Sequence, residues 1–157
     1  MNALLRKISP YTAPDVLLGV FATETEAQGA RDAYFSQRSA DPSADPWLRQ
    51  AYKPAGLHAN DLRIVAIDAP GSPRDGDEIF VVSNYKDAFG QVVRDIDSIH
   101  LSEAAARSRI SEIDRVNTGM PSYALLQRVH VGAIHSDMPD QQPRLSFDAY
   151  SSTAGGA

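Results

Sequence analysis

Four histidines, His58, His100, His130 and His135, are the residues of this chain best suited to carry protons or hold a metal. A catalytic zinc needs about three convergent ligands. No two of the histidines stand at the i, i+4 spacing that puts both on one face of a helix. Asp95 and Asp97 lie just before His100. In a regular strand those two carboxylates share one face and His100 takes the other, so only a bulge could bring all three together. No metal site is expected. The chain has no cysteine, which removes disulfides, thiolate ligands and a thiol nucleophile. Gly71 and Gly76 lie in a turn with no following Lys-Ser/Thr, and no serine stands in a G-x-S-x-G elbow. No cofactor is expected.

His100-Leu101-Ser102 matches half of the histidine–apolar–hydroxyl signature of two-histidine phosphoesterases. That chemistry uses one histidine to take a proton and a second to give one. His130-Val131-Gly132 stands where the second signature would fall, but Gly132 has no hydroxyl to hold a phosphate. A small hydrolase or phosphoesterase using His100 and His130 is therefore the alternative, not the leading expectation.

Strand alternation groups other side chains. Val92, Arg94, Ile96 and His100 are expected on one face of a hairpin strand. Arg128 and His130 are expected together on the last strand. If helices cover the sheet on one side only, Arg94, His100, Arg128 and His130 gather on its open side as a mixed, mildly basic binding surface. Trp47, with Leu48 and Tyr52, is the other candidate. A lone tryptophan in a loop either anchors that loop to the body or serves as an interface hot spot, and both roles stay open.

These residues need elements to hold them. Val16–Phe21 is a short β-favouring run. Thr23-Glu-Thr-Glu26 is a capping box, and Ala27, Ala30, Tyr34 and Phe35 continue it at helical spacing, which predicts a helix over 24–37. Residues 36–60 form a proline-rich insertion, with a short helical turn expected after Asp45-Pro46. Leu62–Asp68, Glu78–Tyr85, Gln91–Leu101 and Tyr123–Ile134 read as strands, the middle two joined through Lys86–Gly90. Ser102 caps a second helix whose apolar stripe is Ala106, Ile110 and Ile113, and which ends near Asn117–Gly119 and Pro121. Residues 1–15 read as a lead-in. Leu145–Tyr150 could add an edge strand to a polar tail over 136–157.

The two helices fall in matching settings. Thr23 pairs with Ser102, Glu24 with Glu103 and Ala27 with Ala106, each 79 residues apart. This suggests half-repeats over 16–69 and 79–135 within one domain spanning 1–135. Hydroxyl caps are common grammar, so chance likeness and true duplication both remain open. The phrase of strand, small residue, Thr/Ser-Glu, Ala-rich helix and strand resembles small uncharacterised bacterial strand–helix–strand domains, some of them immunity or accessory proteins. That resemblance implies a protein-binding role and assigns no functional residue.

The 157 residues are 43% apolar and 22% charged, which suits a globular domain with its own core. The net charge of −5 argues against a nucleic-acid binder held by phosphate contacts. No apolar run approaches a membrane span, and Met1–Ile8 is too short for a secretion signal, so a cytoplasmic location is expected. The fold class expected is α+β: an antiparallel or mixed sheet of about five strands on two main helices. The expected role is that of a non-catalytic protein-binding or accessory protein of bacterial or phage type, such as an immunity or inhibitor protein. Its expected partner is another protein, with a homodimer as a further possibility, and neither nucleic acid nor membrane.

Overall fold

The computed structural model describes residues 1–8, 14–41, 57–88, 91–116 and 122–135. The fold is α+β, with two helices and six strands in two antiparallel three-stranded sheets. The strands are β1 (Asn2–Arg6), β2 (Val16–Phe21), β3 (Leu62–Ala66), β4 (Glu78–Ala88), β5 (Gln91–His100) and β6 (Ser122–His130); the helices are α1 (Glu24–Ala40) and α2 (Glu103–Val116). The sheet orders are β2-β1-β3 and β5-β4-β6. Each half is thus a hairpin, a helix and a returning strand that pairs with the first strand of its hairpin.

The expected single sheet of about five strands becomes two sheets because of β1. Residues 2–6 carry no period-two pattern. As the central strand of its sheet, β1 is buried on both faces, and such strands read as continuous apolar runs. Ala3 and Leu5 join Leu17, Val20, Ile79, Val81, Ile99, Val129 and Val131 in one apolar layer between the sheets. Leu4 turns the other way, to Val16, Leu18, Phe21, Ala27, Tyr34 and Leu62 under α1. Phe80, Val82 and Ala124 meet Ala106 and Ile113 of α2 on the far side. The layers therefore run helix, sheet, sheet, helix. Arg6, at the end of β1, hid the strand further: it is buried, and its Nη1 donates to Tyr34 Oη at 2.6 Å.

The likeness of the halves goes beyond helix caps. Both hairpins slip register at the same place. Opposite Leu4 and Leu5 stand Gly19 and Leu17, with Leu18 extra; opposite Val82 and Ser83 stand Ser98 and Ile96, with Asp97 extra. A bulge is a specific local device, so its recurrence at matching positions is stronger than shared capping. The repeated unit begins at β1, earlier than residue 16. The capping box of α1 is formed: Thr23 N–H donates to Glu26 Oε2 at 2.9 Å and Glu26 N–H to Thr23 Oγ1 at 3.2 Å.

The predicted strand over Tyr123–Ile134 stops at His130. Gly132 there takes a positive φ of 85° and its N–H crosses to Val20 O at 2.8 Å. His135 N–H donates to Leu18 O at 2.7 Å. Segment 131–135 so covers the outer edge of β2 and ties one half to the other. Gly19 is what admits it, because a Cβ there would lie 2.5 Å from Ala133 O. The turn after Asp45-Pro46 and the strand over Leu145–Tyr150 lie outside the described residues.

Gly19→Ala is expected to lower the unfolding free energy by about 1–3 kcal/mol, the usual cost of overpacking a filled site. Urea unfolding checks this. An unchanged midpoint would show that Ala133 can move aside freely.

Candidate functional site

The bulge in β5 decides where its side chains go. Before it in the chain, Ile96 faces Ser83 and Arg94 faces Tyr85, all on the side of the other sheet; after it, His100 faces Phe80 on the α2 side. The expected face shared by Val92, Arg94, Ile96 and His100 is therefore split, because one extra residue inverts the alternation. Nor is one whole side open, since each sheet packs on the other sheet and on its own helix; on the α2 side Val93, Asp95 and Arg128 stay exposed.

Arg94 is a core residue, 2% exposed. Its Nε donates to Ser83 Oγ at 3.0 Å, Nη1 to Asp15 O at 3.1 Å and Nη2 to Gln127 Oε1 at 3.1 Å. Its guanidinium carbon lies 5.4 Å from the Tyr85 ring centroid, and that ring stacks on Tyr123 at 5.2 Å. Burial depresses the pKa of Arg94 and raises that of Tyr85. The guanidinium binds strands β4, β5 and β6 to the segment entering β2. It is a structural tie.

On the α2 side the bulged Asp97 turns toward the helix. Arg109 grips it with two parallel hydrogen bonds, Nε to Oδ2 at 2.8 Å and Nη2 to Oδ1 at 2.9 Å, and reaches Glu112 with Nη1 at 3.2 Å. The guanidinium first, with a bond from Ser98 and the charge of His100, holds the Asp97 carboxyl below the usual carboxylate range. Ser98 Oγ donates to Asp97 Oδ2 at 2.7 Å and lies 2.8 Å from His100 Nε2. A hydroxyl has one proton to give. With that proton on the ionised Asp97, His100 Nε2 must be the donor to Ser98. The chain runs His100 to Ser98 to Asp97, the reverse of what an activated serine requires, where histidine accepts the hydroxyl proton.

Arg128 lies across Phe80 from His100. It covers the Phe80 ring at 5.5 Å and pairs with Glu103 at 3.1 Å and Glu78 at 3.7 Å. His130 sits opposite Glu78, on the strand beyond. His100 and His130 are thus separated by β4, which at ordinary strand spacing is roughly 10 Å across the sheet. His100 is engaged with Ser98, while the His130 ring stacks with His135 at 6.5 Å and the His130 backbone N–H donates to His135 Nε2 at 3.1 Å. Burial lowers the pKa of His135, which favours that accepting form. The structure places no shared proton acceptor and donor between His100 and His130. Trp47 and Tyr52 lie outside the described residues.

Of the sequence candidates, then, His100 and Arg128 stand on one face beside α2, His130 lies further along it, and Arg94 is on the opposite face. Asp97, Ser98 and Arg109 join the site unforeseen. The Asp97–His100 spacing was the one available signal, and it depended on a bulge that alternation does not show. No group of three or more metal-ligating side chains converges among the described residues. None of their helices is long and apolar enough to cross a membrane. Comparison with protein-family models, curated proteins and solved structures finds no match to this chain.

Two outcomes are expected. Arg94→Ala costs about 3 kcal/mol or more of unfolding free energy, because it leaves buried acceptors without their donor; a cost near zero in urea would remove its role as a tie. Asp97→Asn destabilises the protein at neutral pH. Because the folded pKa of Asp97 is depressed, its contribution is present above the ordinary carboxylate value of about 4 and fades as pH falls through the lower folded value. The two proteins should converge in stability in acid; a gap that persists there would contradict the ion pair.

Proposed function

We propose that the chain is a non-catalytic protein-binding protein of the immunity or inhibitor kind, acting by occupying a surface of another protein with its second half. One observation carries this. Where the first unit is apolar, with Leu18, Gly19, Phe21 and Ala30, the second has Asp97, Ser98, His100 and Arg109 at the matching places. The first unit shows that the fold is satisfied by apolar residues there. The polar set is thus not a requirement of the architecture.

Its construction suits recognition. Arg109 is 40% exposed along its side chain, yet its fork is held by Asp97 and Glu112. His100 is held by Ser98. Oriented polar groups lose little freedom on binding. Leu101, next to His100 in the chain and 53% exposed, supplies apolar contact beside them. A surface of mixed apolar and oriented arginine groups is typical of protein interfaces. The proton arrangement of Ser98 and the separation of the histidines weigh against hydrolysis at this place.

Affinity purification from the source cell with wild-type bait is expected to retain a defined partner. Leu101→Asp and Arg109→Ala should each weaken its retention about tenfold or more, the loss of a hot-spot contact. In parallel, p-nitrophenyl acetate and bis(p-nitrophenyl) phosphate should turn over at equal background rates with wild type and His100→Ala. Turnover that depends on His100 would overturn the non-catalytic assignment.

A further inference from the structure

The two hairpins differ in what covers their outer edges. On β2, Val20 O and Leu18 O receive the N–H groups of Gly132 and His135. By register and bulge, Ile99 stands on β5 where Val20 stands on β2, and Asp97 where Leu18 does. The chain placed to cover β5 is the one leaving β3, as 131–135 leaves β6. Val65 lies opposite Ala3 and Gln127 opposite Val81. Counting on from those pairs, Pro70 falls where Gly132 does, and Pro73 where His135 does. Proline has no N–H to give. The segment passes near enough, since a Cβ on Gly71 would lie 3.7 Å from Leu101 Cδ1. Among the described residues, no backbone N–H outside the ladder with β4 reaches a β5 carbonyl.

An uncovered edge is a template for another strand. The residues on it point to the occupant. Val93 and Asp95 share the α2 side of β5, facing Lys86 and Asn84 of β4. Val93 is 42% exposed. The Asp95 side chain is 60% exposed, and its ion pair with Lys86 is long, at 3.7 Å. A second copy laid antiparallel about Asp95 or Ile96 would set Asp95 against Asp95 or Asp97, and like charges directly opposite are unfavourable. A strand alternating basic and apolar side chains lays its cations on the α2 side, against Asp95, and its apolar groups on the other side, with Val92 and Ile96.

We propose that the open edge of β5 takes up an extended, basic segment of the partner protein by strand addition, with a lysine or arginine set against Asp95. This rests on the protein-binding assignment above and adds its mode and the partner's charge. The bulge does not forbid it, since β2 carries the same bulge and is covered.

The probe is a fluorescent peptide of about ten residues alternating lysine and valine, with a glutamate–valine twin and a backbone N-methylated form that cannot complete a ladder. Anisotropy is expected to show the lysine peptide binding at least about tenfold more tightly than its twin. Amide exchange followed by NMR should slow within β5, along the edge the new strand engages. Asp95→Lys, a change at an exposed position, should reverse the preference between the two peptides. Strand addition is overturned if no peptide binds, if N-methylation leaves binding unchanged, or if Asp95→Lys leaves the preference unchanged. Protection confined to 103–116, or a cellular partner retained equally by wild type and Asp95→Lys, would overturn it while leaving the protein-binding assignment standing.

Discussion

The apolar layer between the two sheets is the contact on which the rest depends. Each three-stranded sheet has two apolar faces, and its single helix covers only one of them. Here each sheet lends its inner face to the other: Ala3, Leu5, Leu17 and Val20 on one side, Ile79, Val81, Ile99, Val129 and Val131 on the other. Each outer face is then closed by its own helix. The helices need only narrow apolar stripes, Ala27 and Tyr34 on α1, Ala106 and Ile113 on α2. Joining the halves also brings segment 131–135 onto β2, and the bare backbone of Gly19 is the condition for that close approach.

The strands of the second sheet run to 9–11 residues, while those of the first have 5 or 6. The extra length carries the second sheet past the apolar layer, and a polar arrangement takes over there. Arg94, flat against Tyr85, bonds to a serine, a glutamine and the carbonyl of Asp15. Arg63 pairs with the Asp15 carboxylate at 2.9 Å, at the surface of the same corner. A buried guanidinium must be hydrogen-bonded to be tolerated, and this one draws on three segments at once. That makes it a determinant of how the halves meet, although strand alternation alone groups it with surface histidines.

The bulge in each hairpin has opposite consequences in the two halves. In the first it points Leu18 into the packing under α1. In the second it points Asp97 at α2, where Arg109 answers it. The same backbone irregularity thus serves packing once and a charged, partly exposed cluster once. Internal comparison of this kind separates what the architecture requires from what it merely permits. It is why the Asp97–Ser98–His100–Arg109 set stands out against an otherwise ordinary polar surface.

By itself the sequence determined the local events. Thr23 and Ser102 start the helices, β2 through β6 lie where β-favouring runs fall, the class is α+β, and the two halves echo one another. Each of these depends on neighbours within a few residues, through capping, periodicity and turn chemistry. Tertiary structure alone decided the rest. The strand status of residues 2–6 came from burial on both faces, which erases alternation. The split of Arg94 from His100 came from one inserted residue in a ladder. The covered edge of β2 came from Gly132 and His135, which donate their N–H groups to it from the other half. In all three cases the partner is distant in the chain, and a local pattern holds no record of it.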